Sequence, residues 1–173
     1  MQEILNRIEQ TAGMGTSFIF KHLIITVDEM ECLLASGLSI EKFATENNID
    51  FISLKKFGKV EVLHITSTLN KQSIHEKGLL CNRTVGWIND LGIGLYGVDK
   101  DNETGLENLR TYVEGHFDDD DMLIVEADYT GEYIQCIYGY GHEGYIVLKV
   151  SIPAQDVTDI ISSNVDDFLC LSF

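Results

Sequence analysis

The sequence predicts an α+β fold: a mainly helical, partner-docking extension over residues 1–58, then a sheet-rich domain over residues 59–173. Three observations predict it. Helix caps and 3.6-residue apolar spacing dominate before Lys59, and short apolar stretches bounded by turn residues follow it. Val62–Tyr96 reads as strand, helix, glycine stop and glycine-flanked strand. A chain of 173 residues, 45% apolar and 23% charged, can bury one core of ordinary composition.

In the extension, Ile4, Leu5 and Ile8 mark a helix over residues 3–12, closed by Gly13. Ser17–Thr26 is a strand by its Phe and Ile content. Thr26-Val27-Asp28-Glu29 has capping-box spacing and starts a helix that carries Met30, Leu33 and Leu34 and stops at Gly37. Ser39 caps a shorter helix, Ile40–Glu46. This helix–glycine–helix unit, Val27–Lys56, is faintly similar to a helix-turn-helix, with Lys55, Lys56 and Lys59 as its local positive cluster. The unit has no excess of bases, so packing or partner docking is expected rather than DNA binding.

In the second part, Val60–Ile65 is a strand, Asn70–Leu80 a helix ended by Gly78, and Leu91–Val98 a strand holding three glycines. Thr104–Glu114 is a helix that turns Leu106, Leu109 and Val113 inward. Met122–Ala127 and Tyr133–Tyr138 read as a hairpin around Tyr129-Thr130-Gly131-Glu132. After the loop Gly139–Gly144, Tyr145–Ile152 is a strand ended by Pro153. Asp156–Ile161 reads as a turn or short helix and Phe168–Phe173 as a last strand.

Charge narrows the partners. Net charge is −16, and residues 61–173 carry 20 acids against 6 bases while residues 1–60 carry 8 against 6. Such a field repels nucleic-acid phosphates and favours a basic protein, with Asp118, Asp119, Asp120 and Asp121 as a candidate contact. No apolar run spans a bilayer and no secretion signal is visible, so a cytoplasmic protein is expected. Cys32, Cys81, Cys136 and Cys170 form no CxxC pair and are expected to be buried thiols; no metal site is expected.

Three residues stand out chemically. His64 ends a strand, its neighbours Leu63 and Ile65 facing the other way, and Thr66 and Ser67 after it offer a hydroxyl cap for the next helix. Tyr96 lies between Gly94 and Gly97, which leave its ring open to stacking. Glu143 stands between glycines at a strand entrance.

The order VLHITS, NKQSIHEKGLL, GIGLYGVD, MLIVEADYTGEY, HEGYIVLKV over about residues 60–160 resembles the ADP-ribosyltransferase fold. It is closest to the histidine–tyrosine–glutamate branch of diphtheria toxin and the poly(ADP-ribose) polymerases. The resemblance implies a split β-sheet core and NAD as co-substrate. It implies that His64 bonds a ribose hydroxyl of the cofactor, that Thr66 also contacts the cofactor, that Ile65 and Gly94 stand in the cofactor site, and that Tyr96 stacks on nicotinamide. It implies that Glu143 steadies the positive charge that develops on the sugar, where a carboxylate favours the transition state over the substrate. The chain departs from the pattern at Ile65 and Gly97, where the family has glycine and an aromatic residue, and at Gly144, inserted before Tyr145-Ile146-Val147.

The activity so implied is NAD-dependent ADP-ribosyl transfer to an intracellular macromolecule. The setting is similar to that of phage or plasmid inhibitors of host defence, such as anti-CRISPR proteins. The alternatives are a non-catalytic acidic inhibitor on a degraded transferase fold, which blocks nucleic-acid binding by a basic partner, and an NAD glycohydrolase.

Overall fold

The computed structural model describes residues 2–12, 19–82, 94–117, 122–139 and 141–171. Gly13, Ser17, Leu91, Gly92, Ile93, Asp118–Asp121 and Phe173, named above, lie outside the described residues. The architecture is a mixed α+β one, built on a seven-stranded sheet among the described residues.

The N-terminal portion starts with α1 (Gln2–Leu5), β1 (Glu9–Ala12) and β2 (Ile19–Thr26). The helix expected over residues 3–12 is therefore one turn, and residues 9–12 pair antiparallel with β2 from Glu9↔His22 to Ala12↔Ile19. So short a helix is marginal, whereas the edge of β2 offers residues 9–12 a strand to pair with. Thr26 then starts α2 (Val27–Ala35) with a complete capping box: its side chain accepts from the Glu29 amide while the Glu29 carboxylate accepts from the Thr26 amide. Ser39 caps α3 (Ile40–Asn47), and Asn48 closes it in the left-handed region at φ 52°. Leu23, Ile25, Leu33, Phe43, Ala44 and Ile52 form one buried cluster that seals both helices onto β2 and the next strand.

That next strand runs across the expected division of the chain. β3 runs unbroken from Phe51 to Ser67, parallel to β2 at its start. The expected boundary between residues 58 and 59 thus falls inside a strand, and β1 and β2 belong to the same sheet as the strands that follow. The helix-turn-helix likeness ends here too, because Lys55, Lys56 and Lys59 lie on β3. Lys55 and Lys59 pair with Glu132 at 2.8 Å and Asp128 at 3.2 Å, and Lys56 donates to the Gln135 side-chain carbonyl at 2.9 Å.

After β3 come a 3-10 turn at Thr68–Asn70, α4 (Lys71–Lys77), β4 (Leu95–Asp99), α5 (Glu103–His116) and β5 (Met122–Tyr138). In place of the expected hairpin, β5 is a second unbroken strand; it pairs antiparallel with β3 from Ile52↔Tyr138 to Ser67↔Met122. Gly131 supplies space rather than a turn. A Cβ there would lie 2.4 Å from the Tyr129 hydroxyl, which instead crosses over and donates to the Glu132 carbonyl at 3.0 Å.

The chain ends with β6 (Tyr145–Leu148), β7 (Val157–Ser163) and α6 (Val165–Leu169). β7 replaces the turn expected at Asp156–Ile161 by pairing with β5. α6 replaces the expected terminal strand: Asn164 caps it and Phe168 is buried against Leu106, Leu109 and Val113 of α5. β6 stops at Leu148, earlier than expected, and Ile152 meets Leu79 in an isolated bridge.

Both long strands change partners midway. β3 leaves β2 and takes β4 at Val62 and Leu63; β5 leaves β7 and takes β6 at Ile134 and Gln135. Because β4 and β6 also pair, strands β3, β4, β6 and β5 close into a ring. Alternation along β3 and β5 sends Val62, Leu123 and Val125 into one core, and Leu63, Met122 and Ile124 into another beneath α5 and α6.

Candidate functional site

A cleft of about 360 Å³ opens where β3 ends and β4 begins, between α4 and α5. Its lining brings together His64, Ile65, Thr66, Gly94 and Tyr96 of the expected site. The β3–β4 ladder holds Val62↔Asp99 and Leu63↔Val98. Just beyond it, His64 Nδ1 lies 2.7 Å from the Tyr96 carbonyl oxygen. A carbonyl only accepts, so Nδ1 carries the hydrogen; in the neutral imidazole Nε2 is then the acceptor.

The glycines permit this approach. A Cβ on Gly97 would stand 2.6 Å from the Leu63 carbonyl, and one on Gly94 would stand 2.6 Å from Val147 Cγ1. Gly97 thus stands where the neighbouring strand leaves no room for a side chain. Ile65 packs partly into the core beneath α5 while it lines the cleft.

Thr66 is nearly buried, and its hydroxyl oxygen accepts from Asn70 Nδ2 at 2.8 Å. Ser67 is the hydroxyl that caps, accepting from the Leu69 amide at 3.3 Å. Sequence reasoning misses Asn70; its one signal is its place four residues after Thr66 across a strand-to-helix turn. Ser73 from α4, and Leu109, Tyr112 and Phe117 from α5 and its end, also line the cleft, as does Tyr145. Tyr145 donates its hydroxyl to the Asn108 carbonyl at 3.3 Å, and burial pushes its phenol well above the usual range.

Glu143 is not in the lining. Its carboxylate accepts from the Gly139 amide at 3.1 Å and the His142 amide at 3.2 Å, which ties down its own loop. Gly144, at φ 87°, breaks the alternation that would otherwise hold Glu143 on the same side as Tyr145. The other nearby carboxylates do not replace it: Glu132 pairs with Lys55, and Asp166 and Asp167 lie exposed on α6. Among the described lining residues there is no carboxylate, ammonium or guanidinium.

Comparison with family models, curated proteins and solved structures finds no match to this chain.

A second set of reactive groups lies across β2, β3 and β5. His22 Nε2 is 2.9 Å from Ser53 Oγ, both nearly buried, and Cys136 pairs with Ser53 in the ladder. Burial lowers the His22 imidazole to about 4 and, with the Glu143 charge, pushes the Cys136 thiol up to about 12. Neither group is poised for nucleophilic or acid–base work at neutral pH. All four cysteines are free, and Cys32 and Cys170 are exposed rather than buried as expected. Among the described residues no three His, Cys, Asp or Glu side chains could hold a metal, and no helix is long and apolar enough to cross a membrane.

The cleft can thus hold an aromatic ring beside a hydroxylated group. Its aromatic walls suit stacking, while His64, Thr66 and Asn70 suit hydroxyls. These groups suit a planar ring joined to a sugar, and the described lining supplies no acid.

Proposed function

We propose that the chain is an ADP-ribosyltransferase-type protein that binds NAD through its nicotinamide–ribose end and modifies a basic intracellular protein. One observation carries this reading: the 2.7 Å contact of His64 with the Tyr96 carbonyl, inside a cleft that also holds Thr66 and Gly94. The motif spacing of the sequence and the side-chain chemistry of the cleft support the same ligand.

NAD supplies an N-glycosidic bond whose cleavage releases neutral nicotinamide and passes ADP-ribose to an acceptor. The chain's residues do the holding. His64, its ring oriented by the Tyr96 carbonyl, accepts a ribose hydroxyl at Nε2. Thr66, fixed by Asn70, offers its hydroxyl hydrogen, and Tyr96 with the rings of α5 keeps water from the base. Orientation of this kind lowers the entropic part of a barrier. The acidic second part of the chain steers a basic acceptor to the cleft.

A second reading has its own support. Glu143 is engaged by two amides of its own loop, and the described lining carries no acid, which favours binding without turnover. In that case the chain is a non-catalytic inhibitor of a basic partner on a degraded transferase fold.

Labelled NAD, incubated with a host lysate and with wild type, His64→Ala or Glu143→Ala protein, tests both. Label on a macromolecule that disappears in His64→Ala and persists in Glu143→Ala, whose carboxylate lies outside the cleft, supports the transferase, and free ADP-ribose alone supports a glycohydrolase. Bound NAD without turnover supports the inhibitor, and no binding at all removes the NAD reading.

A further inference from the structure

The described lining of the cleft is aromatic and polar but carries no carboxylate, ammonium or guanidinium. Tyr96, Tyr112, Phe117 and Tyr145 supply four rings, and Thr66 and Asn70 supply hydrogen-bonding groups at the other end. At about 360 Å³ the volume is near the lower end of ligand pockets, which run from roughly 300 to 1,000 Å³. That suits a ring with one sugar better than a whole dinucleotide. Lys71 and Lys77 of α4 are not in the lining, and Lys71 is bonded to Ser162 on β7 at 3.3 Å. Among the described residues no lysine or arginine lines the cleft, and residues 61–173 carry 20 acids against 6 bases.

From this lining and charge we propose that the cleft selects a cationic N-ribosylpyridinium, of which nicotinamide riboside is the simplest, over its phosphorylated dinucleotide. The inference rests on the nicotinamide–ribose reading of the cleft and changes the ligand's class within it. A pyridinium ring carries positive charge into a site of aromatic faces, which attract cations through the ring quadrupole. The long-range field of the chain has the same preference: it draws in a cationic nucleoside and repels the pyrophosphate of a dinucleotide. The Tyr145 phenol, held neutral by burial, stays an aromatic face rather than becoming a counter-ion. The two ligands therefore differ in the sign of their response to salt, because screening weakens attraction and repulsion alike.

The test is calorimetric titration of the full chain with nicotinamide riboside and with NAD at two ionic strengths. At about 10 mM the screening length is roughly 30 Å, and at about 150 mM it is roughly 8 Å. The expected result is tighter binding of the riboside at low salt, by about fivefold or more. Added salt then weakens riboside binding, strengthens NAD binding and narrows the gap. Tyr112→Leu, its folding confirmed by a melting curve, lowers riboside affinity roughly threefold to tenfold. NAD binding as tightly as the riboside at low salt, or weakening with salt as a cation-held pyrophosphate does, overturns the inference and leaves the NAD reading standing. Binding of neither ligand overturns both.

Discussion

Gly144 lies against Gly105 so closely that a Cβ on Gly144 would stand 2.4 Å from the Gly105 Cα and amide nitrogen. This backbone contact seats the start of β6 on the first turns of α5. It also sets where Glu143 points, since Asn108 Nδ2 donates to the Glu143 carbonyl at 2.8 Å from the next turn of the same helix.

Alanine at 105 tests the contact. Inside an exposed helix, Gly→Ala is worth about 1 kcal/mol in favour of the helix. Here the added Cβ meets the Gly144 carbonyl oxygen at 2.8 Å, and crowding of that kind costs about 1–3 kcal/mol. Crowding outweighs propensity, so Gly105→Ala is expected to lower stability by up to about 2 kcal/mol in urea unfolding. A more stable variant would show that the two glycines are not in contact.

Glu143 holds its loop through two amide hydrogen bonds. Removing the carboxylate in Glu143→Ala leaves those donors to water in a half-buried position, an expected loss of about 1–2 kcal/mol. Affinity for a cleft ligand is expected to stay within about twofold, because the side chain is outside the lining. A paired melting curve and titration separate the effects; lost affinity without lost stability would bring Glu143 into the cleft.

Stability should fall on the acid side. His22 keeps a pKa of about 4 in the folded chain against its ordinary value of 6.5, because burial disfavours its charged form. As pH drops below 6.5 the unfolded chain takes up the proton first, so stability present above pH 6.5 is lost progressively down to about pH 4. The size is up to about 3 kcal/mol, since each tenfold difference in proton affinity between folded and unfolded chain is worth about 1.4 kcal/mol. Burial lowers the His142 imidazole as well and adds in the same direction. In melting curves from about pH 7.5 to about pH 4.5, His22→Gln is expected to flatten this dependence; an unchanged slope would assign it elsewhere.

The cysteines should separate by reactivity. Cys32 and Cys170 are exposed, whereas the Cys136 thiol is held protonated by burial and by the nearby Glu143 charge. Only the thiolate attacks an alkylating reagent. With iodoacetamide at about pH 7.5, peptide mass spectrometry is expected to show Cys32 and Cys170 modified first and Cys136 last. Early modification of Cys136 would mean that β5 opens at that end.

The sequence by itself determined the elements whose signals are local. Thr26 and Glu29 make a capping box from residues three apart, Ser39 and Asn102 cap α3 and α5, and Leu106, Leu109 and Val113 give α5 its buried face. It also determined that His64, Thr66 and Tyr96 are chemically distinctive, because glycine spacing and strand alternation are visible in one dimension. Tertiary structure decided what depends on partners far along the chain. Gly131 reads as part of a turn, but it stands opposite Gly58 in strands whose ladder extends from Ile52 to Ser67. Residues 9–12 and 157–163 became strands because β2 and β5 offered unpaired backbone groups, and Phe168 became helical against the apolar face of α5. The site divides in the same way. The chain order of the histidine, tyrosine and glutamate was legible, but a φ of 87° at Gly144 and its contact with Gly105 decided that the glutamate leaves the cleft. Backbone hydrogen bonds and steric exclusion act between residues distant in sequence, so only the folded chain can settle which local signal prevails.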